Sequence, residues 1–556
     1  MAGRPSGENR VVDEAVFAWW DYPLFTALSV LNVVSIGFVA WYWVAKGDAV
    51  HRPVLFALIT APFTLGLLIY ECRWFAMPLM RRPRAMKPAA GWRVGVATTF
   101  VPGAEPIEML AETLRGLVAM DFPHDTWVLD EGNDDRVKAL CRSLGAKHFS
   151  RRGLPEYQTS SGPFQANTKH GNYNAWLAEI GFATYDIVVG FDPDHIPAPA
   201  YLSGVLGYFD DPAVGFVQAA QVYYNQGASF VARGAAEETY AYYSSIQMSA
   251  YAMGYPIVTG CHNTHRVSAL KEVGGFAAHE ADDLLITLRY RSAGWRGVYV
   301  PETLAVGLVP VDWAGYLAQQ RRWARSVLDI KFRIYGSLFG RLSVPERFAS
   351  LLHGLHYVYG ITTAIGLCTL VFMLLTGATI RLVSAPTVPV LTSLALILQL
   401  SEFYRQRFFL HPKTEAGLHW RAAILRLAKW PFILLASVEA IFDIKRRYAI
   451  TRKIGRARAP WGLAVGHLGT ACIIGAAWMT GWLRGTVHAP ALSAVSAIIV
   501  IASVGISLTA LIQFPDPYDP ELRRASMPVK LPLTVALPPE EAASTVPSES
   551  PQPQVI

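Results

Sequence analysis

Cysteine is scarce. The five present (Cys72, Cys141, Cys261, Cys368 and Cys472) are scattered with no C-x-x-C spacing, which argues against both a zinc site and a disulfide framework and leaves buried or free thiols. Charge is scarce as well: 16% of residues are charged and 52% are hydrophobic, with a mean hydropathy of +0.27, values foreign to a water-soluble chain. The formal net charge of +7 is spread over segments that flank apolar runs. That placement suits lipid head groups and not nucleic acid, for which no binding pattern is present. The first 23 residues contain Asp13, Glu14 and Asp21 and lack the basic, apolar and small-residue order of a secretory leader, so the N-terminus is expected to be retained. From about Asp516 the chain is rich in Pro, Glu and Ser without periodicity, the composition of a disordered tail.

What is abundant is long apolar runs. Stretches near 24–45, 53–72, 351–378, 388–404, 461–483 and 491–513 each approach or exceed the roughly 20 residues a bilayer-spanning helix needs. Between the second and third no run is long enough to cross, and Asp, Asn, Gly and His become frequent, which predicts a polar domain inserted into a membrane scaffold of about six helices. Arg81, Arg82, Arg84 and Lys87 precede that domain, and Arg321, Arg322, Arg325, Lys331 and Arg333 lie near its end. Basic flanks favour the cytoplasmic side, so the inserted domain and both termini are expected there.

Inside the domain the apolar, β-branched run 92–101 ends at Pro102-Gly103 and is followed by apolar residues at helical spacing (Met109, Leu110, Leu114, Leu117, Val118). A second short strand at 126–130, a helix over 136–144 and a third strand at 185–192 continue the alternation. This predicts an α/β fold on parallel strands, whose ligands sit at the strand carboxyl ends, where Asp130 and Asp192 stand.

Phe191-Asp192-Pro193-Asp194-His195 sets two carboxylates where a strand becomes a loop. Such a pair suits Mg²⁺ or Mn²⁺ held against a diphosphate, though a D-x-D on its own also describes an Asx turn around a proline. Lys169-His170-Gly171-Asn172-Tyr173-Asn174 offers a cation and amide side chains for phosphate and ribose, or equally a helix cap. His279-Glu280-Ala281-Asp282-Asp283 gathers carboxylates at the start of a helix, a place acidic residues favour anyway. Gln319, Arg322 and Trp323 join an amide, a guanidinium and a large aromatic, which would also serve an amphipathic helix at a membrane surface.

Taken in order, these motifs resemble the family 2 processive membrane glycosyltransferases, nearest in pattern to the bacterial cellulose synthase catalytic subunit, with curdlan, hyaluronan and chitin synthases more distant. The family's first Asp, D-x-D, T-E-D and Q-x-x-R-W correspond to Asp130, Asp192 with Asp194, Asp282-Asp283, and Gln319 with Arg322 and Trp323. Phe216-Val217-Gln218 is similar to its F-V-Q, and Tyr448 to Lys453 to the gating loop that closes over the nucleotide. The resemblance implies a GT-A-like domain at residues 91–345, after a tail and two membrane helices (1–90). Two more helices (346–410), an interfacial helix and gating loop (411–460), two final helices (461–513) and the tail (514–556) follow. It further implies a nucleotide sugar, foremost UDP-glucose, transferred with inversion to a growing β-glycan that is exported through the membrane helices.

On this comparison Asp130, Glu105, Lys169, Asp192, Thr451 and Lys453 serve the nucleotide, and Asp194 with Asp192 the Mg²⁺ or Mn²⁺ cofactor. Asp283 is the base, Arg322 stabilises the leaving group, and Trp323, Gln319 and Asp282 belong to the acceptor side. His353, His356, Tyr357 and Tyr359 would line the channel or simply pack. Two departures from the family stand out: T-E-D is Ala281-Asp282-Asp283, and Q-T-P-x-x-F-x-N is replaced by Gln218 to Asn225 with Gln221 inside it. No D/N-x-S-x-x-G follows Arg452, so control by cyclic di-GMP is not expected. The expected partners are a UDP-sugar, the polysaccharide, the lipid bilayer and accessory export subunits, and the expected site of residence is the inner (plasma) membrane, multi-pass. The alternatives are sugar transfer to a lipid acceptor, a UDP-N-acetylglucosamine or GDP-mannose donor and, more remotely, a transporter with an accessory domain.

Overall fold

The computed structural model describes residues 10–444 and 461–509. The gating-loop expectation (Tyr448, Thr451, Lys453) and the 514–556 tail lie outside the described residues.

Six helices among the described residues are long and apolar enough to cross a membrane: Tyr22–Lys46, Pro53–Leu79, Val344–Thr376, Thr387–Phe408, Trp461–Leu483 and Pro490–Thr509. They coincide with the six apolar runs of the sequence. The third is broken near its start, where Gly354 adopts φ +78° and a Cβ would fall 2.3 Å from Val327 Cγ1. The break turns His353 and His356 toward the interior cavity instead of continuing one helical face.

The inserted domain is built on a seven-stranded sheet. We number its strands along the chain: β1 Val94–Phe100, β2 Asp125–Asp130, β3 Lys147–Phe149, β4 Ile187–Phe191, β5 Val214–Ala219, β6 Asn263–Arg266 and β7 Arg296–Val300. The spatial order is β7-β5-β6-β4-β1-β2-β3. Val96, Val128, Val189 and Val217 face one apolar layer, and Ala97, Leu129, Val188 and Phe216 face the other, so the central strands are covered on both sides.

The sheet is mixed: β1, β2 and β4, the strands expected to be parallel, are parallel, and the antiparallel member is a strand the sequence did not reveal. Strand β6 runs antiparallel to both β4 and β5, while the other neighbours are parallel. Its sequence, Asn263-Thr264-His265-Arg266, carries no apolar alternation and reads as a loop, yet it is buried. Its polar side chains find partners inside: His265 Nε2 with Asn263 Oδ1 at 2.9 Å and Nδ1 with the Tyr290 hydroxyl at 3.0 Å. Because β6 enters at the end where β4 leaves, the loop 259–262 faces the D-x-D segment.

A further helix, Trp420–Ile441, lies against the inserted domain at the place where an interfacial helix was expected. Three ion pairs hold it. Arg421 bridges Glu237 at 3.2 Å, Lys429 bridges Glu238 at 2.8 Å, and Arg321 bridges Glu439 at 2.5 Å. Its opposite side leaves Leu427, Leu435 and Ile441 exposed, as an amphipathic helix at a lipid surface would.

Candidate active site

Everything chemical gathers at the carboxyl ends of β1, β2 and β4. One cavity of about 1210 Å³ begins there and continues between the membrane helices. Of the residues singled out in the sequence, Glu105, Lys169, Asp192, Asp194, Asp282, Asp283, Gln319, Arg322 and Trp323 line it, as do His353, His356, Tyr357 and Tyr359.

Asp130 does not line it. Its carboxylate is fully buried at the end of β2, where Oδ1 accepts from Gly132 N at 2.8 Å and Oδ2 from Asp134 N at 2.6 Å, with His148 Nε2 3.1 Å away. These partners make Asp130 the support of its turn, and the next residue, Glu131, reaches the cavity wall instead. Glu131 is gripped by Arg151, a fully buried guanidinium that also donates to the carbonyls of Tyr157, Phe164, Gln165 and Thr168. Arg151 thereby shapes the loop that ends at Lys169. Nothing in the sequence marked it, because its partners are scattered backbone oxygens.

The Lys169 motif divides its work. Lys169 Nζ lies 2.5 Å from Asp192 Oδ1 and also donates to the Gly260 carbonyl. Burial alone would lower this amine's affinity for its proton, but Asp192, with Tyr173 and Asp282 nearby, outweighs it and keeps the ammonium charged. The amides expected to face ribose are partly occupied elsewhere. Asn174 is tied to the backbone of Phe276 through both ends of its side chain, and Asn172 donates to the Leu129 carbonyl.

Asp194 is buried and lies 3.0 Å from His195 Nδ1. On the far side of that ring the Gln221 amide stands 2.9 Å from His195 Nε2 and accepts from the Tyr243 hydroxyl at 2.9 Å. Gly307 makes the packing possible, since a Cβ there would sit 2.0 Å from His195 Nε2. Ligand atoms of Asp192, Asp194 and His195 all fall within 4.8 Å of one another. Two hard carboxylates on one short turn, one of them held in place by an imidazole, fit a divalent Mg²⁺ or Mn²⁺.

Asp282 and Asp283 open the helix Asp282–Ser292 and diverge. Lys169 acts electrostatically on both; Asp282 is otherwise influenced by His170 and Asp192, whereas Asp283 feels Arg322 and neighbours Tyr242 and Tyr357. Burial first and the adjacent Asp282 charge second push Asp283 up to about 7, against the Leu284 N–H that it accepts at 2.7 Å. A carboxylate with that affinity is suited to take a proton near neutrality. Arg322 and Trp323 face it from the helix Trp313–Asp329, which starts on the Asp312 cap (Gly315 N to Oδ1, 2.7 Å). In the same helix Arg321 and Gln320 turn the other way, to Glu439 and to Lys429.

Residues 95–326 match the family described as glycosyltransferase like family 2. Among curated relatives, the cellulose synthase catalytic subunit (UDP-forming) of Xanthomonas axonopodis pv. citri (strain 306) is 28% identical over 308 residues, which is 53% of this chain and 40% of that protein. Cellulose synthase 1 of Komagataeibacter xylinus is 26% identical over 335 residues, 58% of this chain and 20% of that protein. The chain thus spans less than half the length of these relatives. A solved mannosyltransferase from Pyrobaculum calidifontis, in complex with GDP-Man and Mn²⁺, aligns with a TM-score of 0.48 at 20% identity, covering 71% of this chain and 99% of that one.

Proposed function

We propose that the chain, whose residues 95–326 match glycosyltransferase like family 2, is an inverting, processive polysaccharide synthase that draws sugar from a nucleotide sugar, UDP-glucose first among candidates, and passes the β-glycan through its membrane helices. One observation carries this reading: the cavity that contains Asp194 and Asp283 is the same cavity that continues among the membrane helices. Transfer to a single small acceptor needs no such continuity.

In this mechanism the acceptor hydroxyl oxygen attacks C1 of the donor sugar from the side opposite the diphosphate. A C–O bond forms, the C1–O bond to diphosphate breaks, and the hydroxyl proton passes to an Asp283 carboxylate oxygen. Arg322 and Lys169 face the departing charge, and Trp323 with Gln319 holds the terminal acceptor sugar, with Asp282 orienting the same helix start. Asp192 and Asp194 would hold Mg²⁺ or Mn²⁺, which when bound neutralises charge on the leaving diphosphate. Glu105 and Glu131 border the nucleotide end, and the family resemblance assigns Thr451 and Lys453 to the nucleotide as well. Residence in the inner (plasma) membrane with the catalytic domain in the cytoplasm follows from the basic flanks and from where nucleotide sugars are made.

The test is a donor screen on purified protein with labelled UDP-glucose, UDP-N-acetylglucosamine and GDP-mannose, followed by size and linkage analysis. Long β-linked polymer from one donor supports the reading. A labelled glycolipid of one sugar, or no turnover with any donor, would overturn it.

A further inference from the structure

Beside the D-x-D turn the loop Gly260-Cys261-His262 brings a thiol and an imidazole up to His195. One ligand atom each of His195, Cys261 and His262 lies within 4.8 Å of the others, and all three residues are buried. Cys261 and His195 line the cavity, and the His262 ring stands 5.7 Å from that of His195. Cys261 also touches the D-x-D itself, since its sulfur accepts from Asp192 N at 3.4 Å.

His262 carries the observation that points to a ligand. Its side chain is fully buried, and Nε2 stands 3.1 Å from the Ala220 carbonyl, an acceptor only, so that nitrogen holds the proton of the neutral ring. Nδ1 is left with a lone pair, and among the described residues no hydrogen-bond partner reaches it. A second proton there would be a buried charge without a partner. An imidazole held by a backbone carbonyl at one nitrogen and bare at the other is in the state that metal-ligating histidines adopt. The donor set is soft: a thiol and two imidazoles, with no carboxylate among them, suit Zn²⁺ better than Mg²⁺ or Mn²⁺. At Zn–S and Zn–N lengths of about 2.3 and 2.0 Å, tetrahedral ligands stand about 3.5 Å apart, so these donors close on an ion by drawing in about 1 Å. No C-x-x-C pair announces the site, because a single cysteine takes part and His195 comes from a separate segment.

We infer that His195, Cys261 and His262 form a second cation site beside the Asp192–Asp194 pair, and that Zn²⁺ bound there inhibits the enzyme. Zn²⁺ takes the two imidazoles and the Cys261 thiolate, whose proton is released to solvent. His195 gives up one of its two bonds, to Asp194 or to Gln221, when a ring nitrogen turns to the ion. Either loss loosens the Asp194 carboxylate, and a dication this close repels a second one at Asp192 and Asp194. The inhibition rests on the reading of that pair as the Mg²⁺ or Mn²⁺ site; the occupancy does not.

Occupancy is read without donor sugar. The full chain in detergent is titrated with Co²⁺, which enters zinc sites and reports a bound thiolate by a sulfur-to-metal charge-transfer band. A single equivalent should bind with that band, and a single equivalent of Zn²⁺ should erase it. Cys261→Ser should abolish the band, and His262→Gln should weaken Co²⁺ binding about tenfold or more. Absence of the band from the parent chain would overturn the inference. So would a band that Cys261→Ser leaves in place, which would give the ion to another thiol. In a second arm, UDP is titrated calorimetrically in the presence of Mn²⁺. A single equivalent of Zn²⁺ should lower UDP affinity about tenfold in the parent chain and leave Cys261→Ser resistant. No loss in the parent chain, or an equal loss in both proteins from Zn²⁺ simply replacing Mn²⁺ at Asp192 and Asp194, would overturn inhibition through this site.

Discussion

Arg325, three residues after Arg322, grips both carboxylate oxygens of Glu280, three residues before Asp283. His279 and Asp329 repeat the connection one step outward, with His279 Nε2 3.0 Å from Asp329 Oδ2. The loop that carries Asp283 is thus clasped to the helix that carries Arg322 and Trp323. Breaking the clasp should disturb alignment more than binding. Glu280→Gln or Arg325→Gln is expected to lower kcat about tenfold while KM for the donor stays nearly constant. The exchange Glu280→Arg with Arg325→Glu should recover part of kcat, and a proportional rise in KM in the single variants would count against an alignment role.

Asp283 gives a pH prediction. In the proposed mechanism its carboxylate must be deprotonated to accept the acceptor's proton, and burial with the Asp282 charge pushes it up to about 7. Transfer should be low below that value, rise through it and level off above it. Asp282→Asn removes the second cause, so the acid limb should move to lower pH with activity retained. Asp283→Asn should cost about a hundredfold or more on the plateau above that value and should lose the acid limb, with nucleotide affinity little changed. Full pH–rate profiles of the three proteins decide it, and an unmoved acid limb in Asp282→Asn would break the assignment.

The same shift predicts an effect on stability. A carboxylate raised in the folded state costs nothing below its unfolded value near 3.8 and destabilises progressively as pH rises toward 7. Asp283→Asn should therefore melt a few degrees above the parent at pH 8 and at the same temperature near pH 4. Thermal unfolding in detergent at both pH values measures this.

Asp194 is buried beside His195 and shares a turn with Asp192. Asp194→Ala should abolish turnover and with it the dependence of nucleotide affinity on Mg²⁺ or Mn²⁺. Isothermal titration of UDP with and without the ion provides a readout independent of turnover. Near-normal activity with unchanged ion dependence would remove the metal role.

Lys429 and Glu238 are only 8% and 10% exposed and share their network with Tyr316 and Gln320. Lys429→Met leaves the Glu238 charge buried and should cost about 3–5 kcal/mol, seen as a marked drop in melting temperature. Adding Glu238→Gln should restore most of it.

Much of this was legible in the sequence, for identifiable reasons. The membrane helices and β1, β2 and β4 announce themselves because water is excluded from them over many consecutive residues. Lys169, Asp192, Asp283 and Arg322 announce themselves as rare residue types in a fixed order. What escaped was what depends on neighbours far apart in the chain. β6 is polar and pairs through its backbone; Arg151 serves backbone oxygens; Glu280 and Arg325 meet only after folding. Asp130 was visible as a residue, but its orientation was not, since a strand-end aspartate serves its own turn as readily as a ligand.

The helix Trp420–Ile441 is tied to the catalytic domain at positions 421, 429 and 439, a spread of about 27 Å along its axis. It therefore works as an outrigger, a stiff float rigged to the hull at three points. When the bilayer thickens or thins, the deformation falls on the lipid around Leu427, Leu435 and Ile441, because bending lipid costs less than tearing these contacts. In the proposed membrane placement, the height of Asp283 is thereby set by the protein and not by the surrounding lipid.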